Sequence, residues 1–371
     1  MTRPGRELHP GAWWTWALGL AACASATTNP WLLVLLVLAA GAVVVLRRGD
    51  APWALGFRYY AYLALLVIVL RVSFYALLGG DQGEPYLVEL PSIPLPQWAA
   101  GVQLLGPISV SAVLSGLYEG LRLAAILLCV GAANTLANPR RLLASLPPAL
   151  YEVGTALVVA LTVFPQLVES VQRVRTARRL RGDAGKGVGA LRRLVVPVLE
   201  DALDRSMTLA AGMDTRGYGR SGDQTRGQRA VTGTLLLAGL VGVGVGAYAV
   251  LDPTAPALLG GWMLVLGVLL AAGGLLSAGR RVRRTRYRPP RWRPAELGVA
   301  TSGLLVAVGV QLLARHDPLV VNPPLTELPT LTAGALALVL VALAPAVLAP
   351  PPPLDAAVTA DEPARPQEAL R

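Results

Sequence analysis

Two arginine-glycine pairs carry the distinctive chemistry of this chain. Arg181-Gly182 closes RTARRLRG (residues 175–182), and Arg216-Gly217 lies in AAGMDTRGYGR (residues 210–220). A guanidinium is a planar, permanently charged fork of donors that fits carboxylates and backbone carbonyls. A glycine just past the last turn supplies the left-handed residue that closes a helix. Each pair therefore reads as a helix end tipped with a gripping cation. One reading is local, since a cation there complements the helix dipole by about 0.3 to 1 kcal/mol. The other is that each arginine docks into a groove on a soluble partner. Two such ends around one polar stretch favour the second.

Little else in the chain offers chemistry. His9 and His316 are far apart, and Cys23 and Cys129 both lie in apolar runs. Neither a disulfide framework nor a metal site is expected. The single lysine, Lys186, sits in GDAGKGVGA, which lacks the G-x-x-x-x-G-K-[ST] spacing of a phosphate loop. Asp81, Glu84 and Glu89 could serve as carboxylates of a membrane enzyme acting outside. Their loop, however, holds Pro85, Pro91, Pro94 and Pro96 and no base or nucleophile pattern. Glu119 and Arg122 lie three residues apart in an apolar run, either as a pair on one helix face or as a contact for a membrane partner.

The elements that position these residues are membrane helices. Hydrophobic residues make up 54% of the chain and charged residues 15%, and the mean hydropathy is +0.54. That excludes an ordinary soluble enzyme and points to a polytopic membrane protein. The net charge of +11 is nearly all arginine, as cytoplasmic loops require. The basic stretches sit between apolar spans, so the lipid bilayer rather than nucleic acid is the expected surroundings.

A span needs roughly 20 apolar residues. Eight runs qualify, some barely: 12–28, 30–46, 58–78, 113–136, 230–251, 257–277, 295–314 and 329–349. Arg3 and Arg6 place the N-terminus inside, Thr27 to Pro30 make a tight outer turn, and Arg47, Arg48 and Arg58 return the chain to the inside. A ninth run, 149–168, is ambiguous. If it crossed, the twelve arginines from Arg173 to Arg229 and the loop Arg280 to Arg293 would lie outside. The expectation is that it lies at or within the inner leaflet without spanning. LAAC (20–23) and Ala24-Ser25-Ala26 resemble processing sites, but Trp13, Trp14 and Trp16 suit an anchored first helix better.

The polar stretch reads as two long helices, about 149–181 and 190–216. Pro147 and Pro148 precede the first, Pro165 is a candidate kink, and Gly182 caps it. Leu191, Leu194, Val195, Val198, Ala202, Leu209 and Met213 recur at helical steps in the second, which Gly217 caps. Ala210, Ala211 and Gly212 give it a face of small residues, which would allow the close approach of another helix.

These residues resemble the transmembrane T component (EcfT/CbiQ type) of energy-coupling factor (ECF) transporters, over roughly residues 8–250. AAGMDTRGYG is similar to the family's Ala-Met-Glu-Ala-Arg-Gly-Tyr signature, and TARRLRG to an earlier one ending Ala-Arg-Gly. FPQLVESVQRVRTA (164–177) resembles the start of the first coupling helix, GPISVSAVLSGLYEGLRLA (106–124) the helix before the cytoplasmic region, and NPRRLLASL the connector between them. Leu8-His9-Pro10 sits where the family often has Leu-Asp-Pro. Leu180 and Thr215 replace alanine, Asp214 replaces glutamate, and the last spans are additional.

The apolar runs and the resemblance together lead to the expectation of an all-α polytopic membrane protein with about eight transmembrane helices and two long cytoplasmic or interfacial coupling helices. It implies a bacterial inner-membrane protein, N-terminus cytoplasmic, that is itself no enzyme. Its partners would be two ATPase subunits, which hold ATP and magnesium, and a substrate-binding S component for a vitamin or transition-metal ion. Arg181, Gly182, Arg216 and Gly217 would bind the ATPases. Pro165, Ala177, Ala211, Gly212, Met213, Asp214 and Tyr218 would support the coupling helices, and Glu119 and Arg122 would face the S component. The expected segments are N-terminal helices over 1–136, coupling helices over 137–229, a completing helix over 230–251, additional spans over 252–349 and a disordered tail over 350–371. An independent permease or channel, or a membrane enzyme, is the alternative.

Overall fold

The computed structural model describes residues 6–49, 55–78, 84–88, 93–94, 103–104, 106–145, 150–182, 188–218, 225–252, 254–256, 259–279, 291–325 and 327–352. Their architecture is helical, as the apolar runs require. The helices are α1 (Pro10–Ala26), α2 (Pro30–Arg47), α3 (Phe57–Leu78), α4 (Val110–Leu136), α5 (Pro139–Ala144), α6 (Tyr151–Leu180), α7 (Val188–Thr215), α8 (Arg226–Leu251), α9 (Gly261–Gly279), α10 (Pro294–His316), α11 (Pro318–Val321), α12 (Ala333–Ala342) and α13 (Pro345–Leu348). Between α3 and α4, Tyr86–Val88 pairs antiparallel with Ile108–Ser109, and Ile93–Pro94 with Gln103–Leu104. The sequence did not foretell these small ladders.

Two compact units are present, Met1–Leu142 with Pro290–Arg371, and Leu143–Pro289. This regroups the expected segments. In the first unit α10 packs along α1, and α12 against α10 and α2. Val299, Val306, Val310, Val321, Ala335 and Ala342 are buried in one core with Trp16, Leu20, Leu33 and Leu36. A Cβ built on Gly303 would lie 2.3 Å from Trp16 Cα, and one on Gly19 would lie 2.1 Å from Gly303 O. Only glycine lets α1 and α10 approach this closely, and small residues at membrane helix contacts do so generally.

Buried polar groups stitch the same surfaces. Trp16 Nε1 donates to Ala342 O at 3.0 Å. The turn between α1 and α2, anticipated at Thr27 to Pro30, is held from the C-terminal side. Thr27 Oγ1 donates to Val321 O at 2.6 Å, and Asn29 Nδ2 donates to Val320 O at 2.8 Å and Thr330 O at 2.9 Å. Arg6 pairs with Glu296 at 2.9 Å, the glutamate being 1% exposed. The last two expected spans, 295–314 and 329–349, are thus part of the N-terminal core rather than an added bundle.

In the second unit α6 packs on α7, and α8 on α9. The helix at 230–251, expected to complete the core, makes a close hairpin with α9. Gly267 lies where a Cβ would come within 2.4 Å of Val243 N.

Seven described helices are long and apolar enough to cross a membrane: Pro30–Arg47, Phe57–Leu77, Val110–Leu136, Val153–Leu180, Ala230–Leu251, Gly261–Gly279 and Pro294–His316. The set differs from the expected eight in three ways. The first helix has 17 residues, at the short end of the usual range. The run 329–349 is divided between α12 and α13, because the chain turns at Leu343 and Ala344 before Pro345. The expected helix over about 149–181 is present as α6, and its stretch Val153–Leu180 joins the set by length and composition. The expected tail falls mostly outside the described residues.

A candidate partner-binding site at two helix ends

The first helix end is built by backbone hydrogen bonds. Arg181 N donates to Ala177 O at 3.2 Å and to Arg178 O at 3.1 Å, and Gly182 N donates to Arg179 O at 3.1 Å. Gly182 has φ +74°, a conformation that costs an L-residue about 1 to 2 kcal/mol. The second end repeats the design. Gly217, also at φ +74°, donates to Asp214 O at 2.9 Å, and Tyr218 N donates to Met213 O at 3.1 Å. This is the Schellman pattern, which uses up the carbonyls of the last turn. Arg181 and Arg216 are therefore the residues immediately before each terminating glycine, and both are exposed.

Around them, Met213 is half-buried, while Ala177, Ala211, Asp214 and Tyr218 are exposed. Pro165 stands inside an uninterrupted α6, and Pro197, which the sequence reading passed over, stands inside α7. Pro147, Pro148 and Lys186 lie outside the described residues.

The helices do not cross where the small residues led us to expect. A Cβ on Gly212 would meet no atom within 4 Å, and Ala210 and Ala211 are exposed. The contact lies further from the tips. There Ser170 Oγ donates to Asp201 Oδ2 at 2.7 Å. Arg205 Nε donates to Asp201 Oδ1 at 3.2 Å, and its terminal nitrogen lies 3.1 Å from Oδ2. The Ser170 hydroxyl holds the Asp201 carboxyl below the usual carboxylate range; partial desolvation opposes this, and the charges of Arg205 and Arg173 assist it. A cleft of about 150 Å³ opens beside the contact, lined by Thr162, Leu167, Ser170, Asp201, Arg205 and Leu209. One signal was legible: Asp201 and Arg205 are four apart on a helix, a spacing that pairs opposite charges. Their link to Ser170, 31 residues away, was not.

Glu119 and Arg122 form an ion pair at 3.5 Å, each side chain about 33% exposed. Arg122 also donates to the Ser25 carbonyl oxygen at the end of α1. The pair belongs to the first unit and the arginine tips to the second. Among the described residues, no three His, Cys, Asp or Glu side chains are grouped to hold a metal ion.

Residues 1–226 match the model of the CbiQ family, described as cobalt transport protein. The chain belongs to the CbiQ family. The match agrees with the arginine-glycine signatures, and with the helices it makes this a transmembrane transport protein. It covers α1 to α7 and stops at the first residue of α8, leaving α9 to α13 beyond it. No curated protein matches the chain.

Proposed function

We propose that this CbiQ-family protein is the coupling subunit of an ECF-type, ATP-driven importer. In this reading two ATPase subunits, which bind ATP and magnesium, lie on the cytoplasmic side of a bacterial cytoplasmic membrane. Each accepts one arginine-tipped helix end in a surface groove. ATP binding and hydrolysis move the ATPases, and α6 and α7 carry that motion to a separate S component, which reorients and releases its cargo. The chain itself hydrolyses nothing and holds no cofactor. The cargo class is a vitamin or a transition-metal ion, and the family description favours cobalt.

The observation that carries this reading is the pair of matched ends. Each places an exposed arginine immediately before a glycine at φ +74°. A lone arginine there would only complement the helix dipole. Two, on neighbouring helices of one unit, present two forks to a two-subunit partner. Glu119 and Arg122 are the proposed contact toward the S component.

The test is co-purification. Tagged full-length chain, solubilised in mild detergent, should bring down two ATPase subunits per copy together with a small membrane protein. A chain that purifies without an ATPase, yet transports on its own in liposomes, would instead be an independent permease.

A further inference from the structure

We propose that Ser170, Asp201 and Arg205 form a clasp that fixes how α6 and α7 cross, so that the two arginine tips are presented at one spacing. The proposal rests on the coupling-subunit reading and gives that reading its positioning residues.

Three observations carry it. First, apolar packing does little to hold these two helices. Among their described residues, Ser170 and Val198 are the only buried side chains. Phe164, Leu180, Leu203 and Met207 are 67%, 84%, 63% and 71% exposed. Second, Ser170 is 3% exposed, and the hydrogen bond of its hydroxyl joins one helix to the other. Third, both Asp201 oxygens are engaged, with Arg205 holding the carboxylate from its own helix. A carboxylate fixed by a two-point guanidinium contact is a directional acceptor. Ser170 therefore docks on a preset group rather than on a swinging one.

The position is that of a pivot. Ser170 precedes Arg181 by eleven residues, about 16 Å of helix at 1.5 Å per residue, and Asp201 precedes Arg216 by fifteen, about 22 Å. A small change of angle at the clasp becomes a displacement of several ångströms at the tips. A two-subunit partner gripped at both tips gains from a held spacing, because the second contact then forms at high effective concentration.

The test uses the full chain in nanodiscs with spin labels on Leu180→Cys and Thr215→Cys, exposed positions beside the arginines. The native Cys23 and Cys129 are buried and stay unlabelled. A narrow label-to-label distance distribution is expected with the clasp intact. Ser170→Ala and Asp201→Ala should broaden or displace it, and Ser170→Thr, which keeps the hydroxyl, should keep it narrow. An unchanged distribution in Ser170→Ala overturns the clasp. In a second arm, Ser170→Ala should bind the paired ATPases about three- to tenfold more weakly, the effect of one lost hydrogen bond. Broadened distances with undiminished binding would overturn its role in docking. An unsubstituted chain that binds no ATPase would defeat the coupling-subunit reading, and the distances would still decide the crossing.

Discussion

Arg181 and Arg216 differ from the other arginines of the polar stretch by position rather than charge. Each immediately precedes the glycine that ends its helix, and its backbone N–H is tied to the last turn, so its side chain leaves at the tip. Arg216→Glu should therefore cost binding to one ATPase by about 2 to 5 kcal/mol, the range for breaking a buried charge pair. Arg181→Glu should do the same at the other ATPase. Arg178→Glu, one turn back on α6, should matter less. Equal losses in pull-down from all three would mean general electrostatics rather than two sockets. Asp201 adds a statement about pH. Its carboxyl titrates below the ordinary range, so its stabilising contribution is complete above the unfolded carboxylate pKa and is lost only as pH falls through the lower folded value. Ser170, Arg205 and Arg173 are the groups that face it. The spacing of labels at 180 and 215 should be the same at about pH 8 and about pH 5.5. A transition within that window would show that another group governs the crossing.

At the scale of elements, α6 poses a question of length against charge. Val153–Leu180 is long and apolar enough to cross a membrane. The arginines on either side of it argue that it does not, because loops rich in arginine stay on the cytoplasmic side. A reporter fused after Pro147 and another near Arg226 should therefore both report cytoplasm. Opposite sides for the two fusions would make α6 a span and would remove the interfacial coupling helix. The α8–α9 hairpin shows how small residues set packing: its glycines let the two helices meet backbone to backbone.

For the whole molecule, the finding with most consequence is that the chain returns to its beginning. By hydrophobicity, residues 252–349 read as additional spans, yet α10 to α13 pack into the N-terminal core. Truncation after Thr254 therefore bears on stability. Truncation would strip α10 to α13 from Trp16, Leu20 and Leu33, and would leave Trp16 Nε1, Thr27 Oγ1 and Asn29 Nδ2 without the carbonyls they now reach. A buried group left unsatisfied costs about 1 to 3 kcal/mol, before lost packing is counted. The truncate should express poorly or unfold at a clearly lower temperature in detergent. A truncate as stable as the full chain would show that these contacts contribute nothing.

The sequence by itself determined the class of the protein, the identity of its two helix ends and the family they belong to. These are local matters. Apolar run length, arginine bias and a glycine one residue past the last turn are each set by neighbours in the chain. Tertiary structure alone decided which spans share a core, where α6 meets α7, and that Ser170, Asp201 and Arg205 form one contact. Those depend on which faces meet across tens or hundreds of residues. In an apolar helix every face is greasy, so hydrophobic periodicity does not mark the one that packs. Gly212 shows the same limit: a small residue permits close approach, but only a partner helix makes it happen.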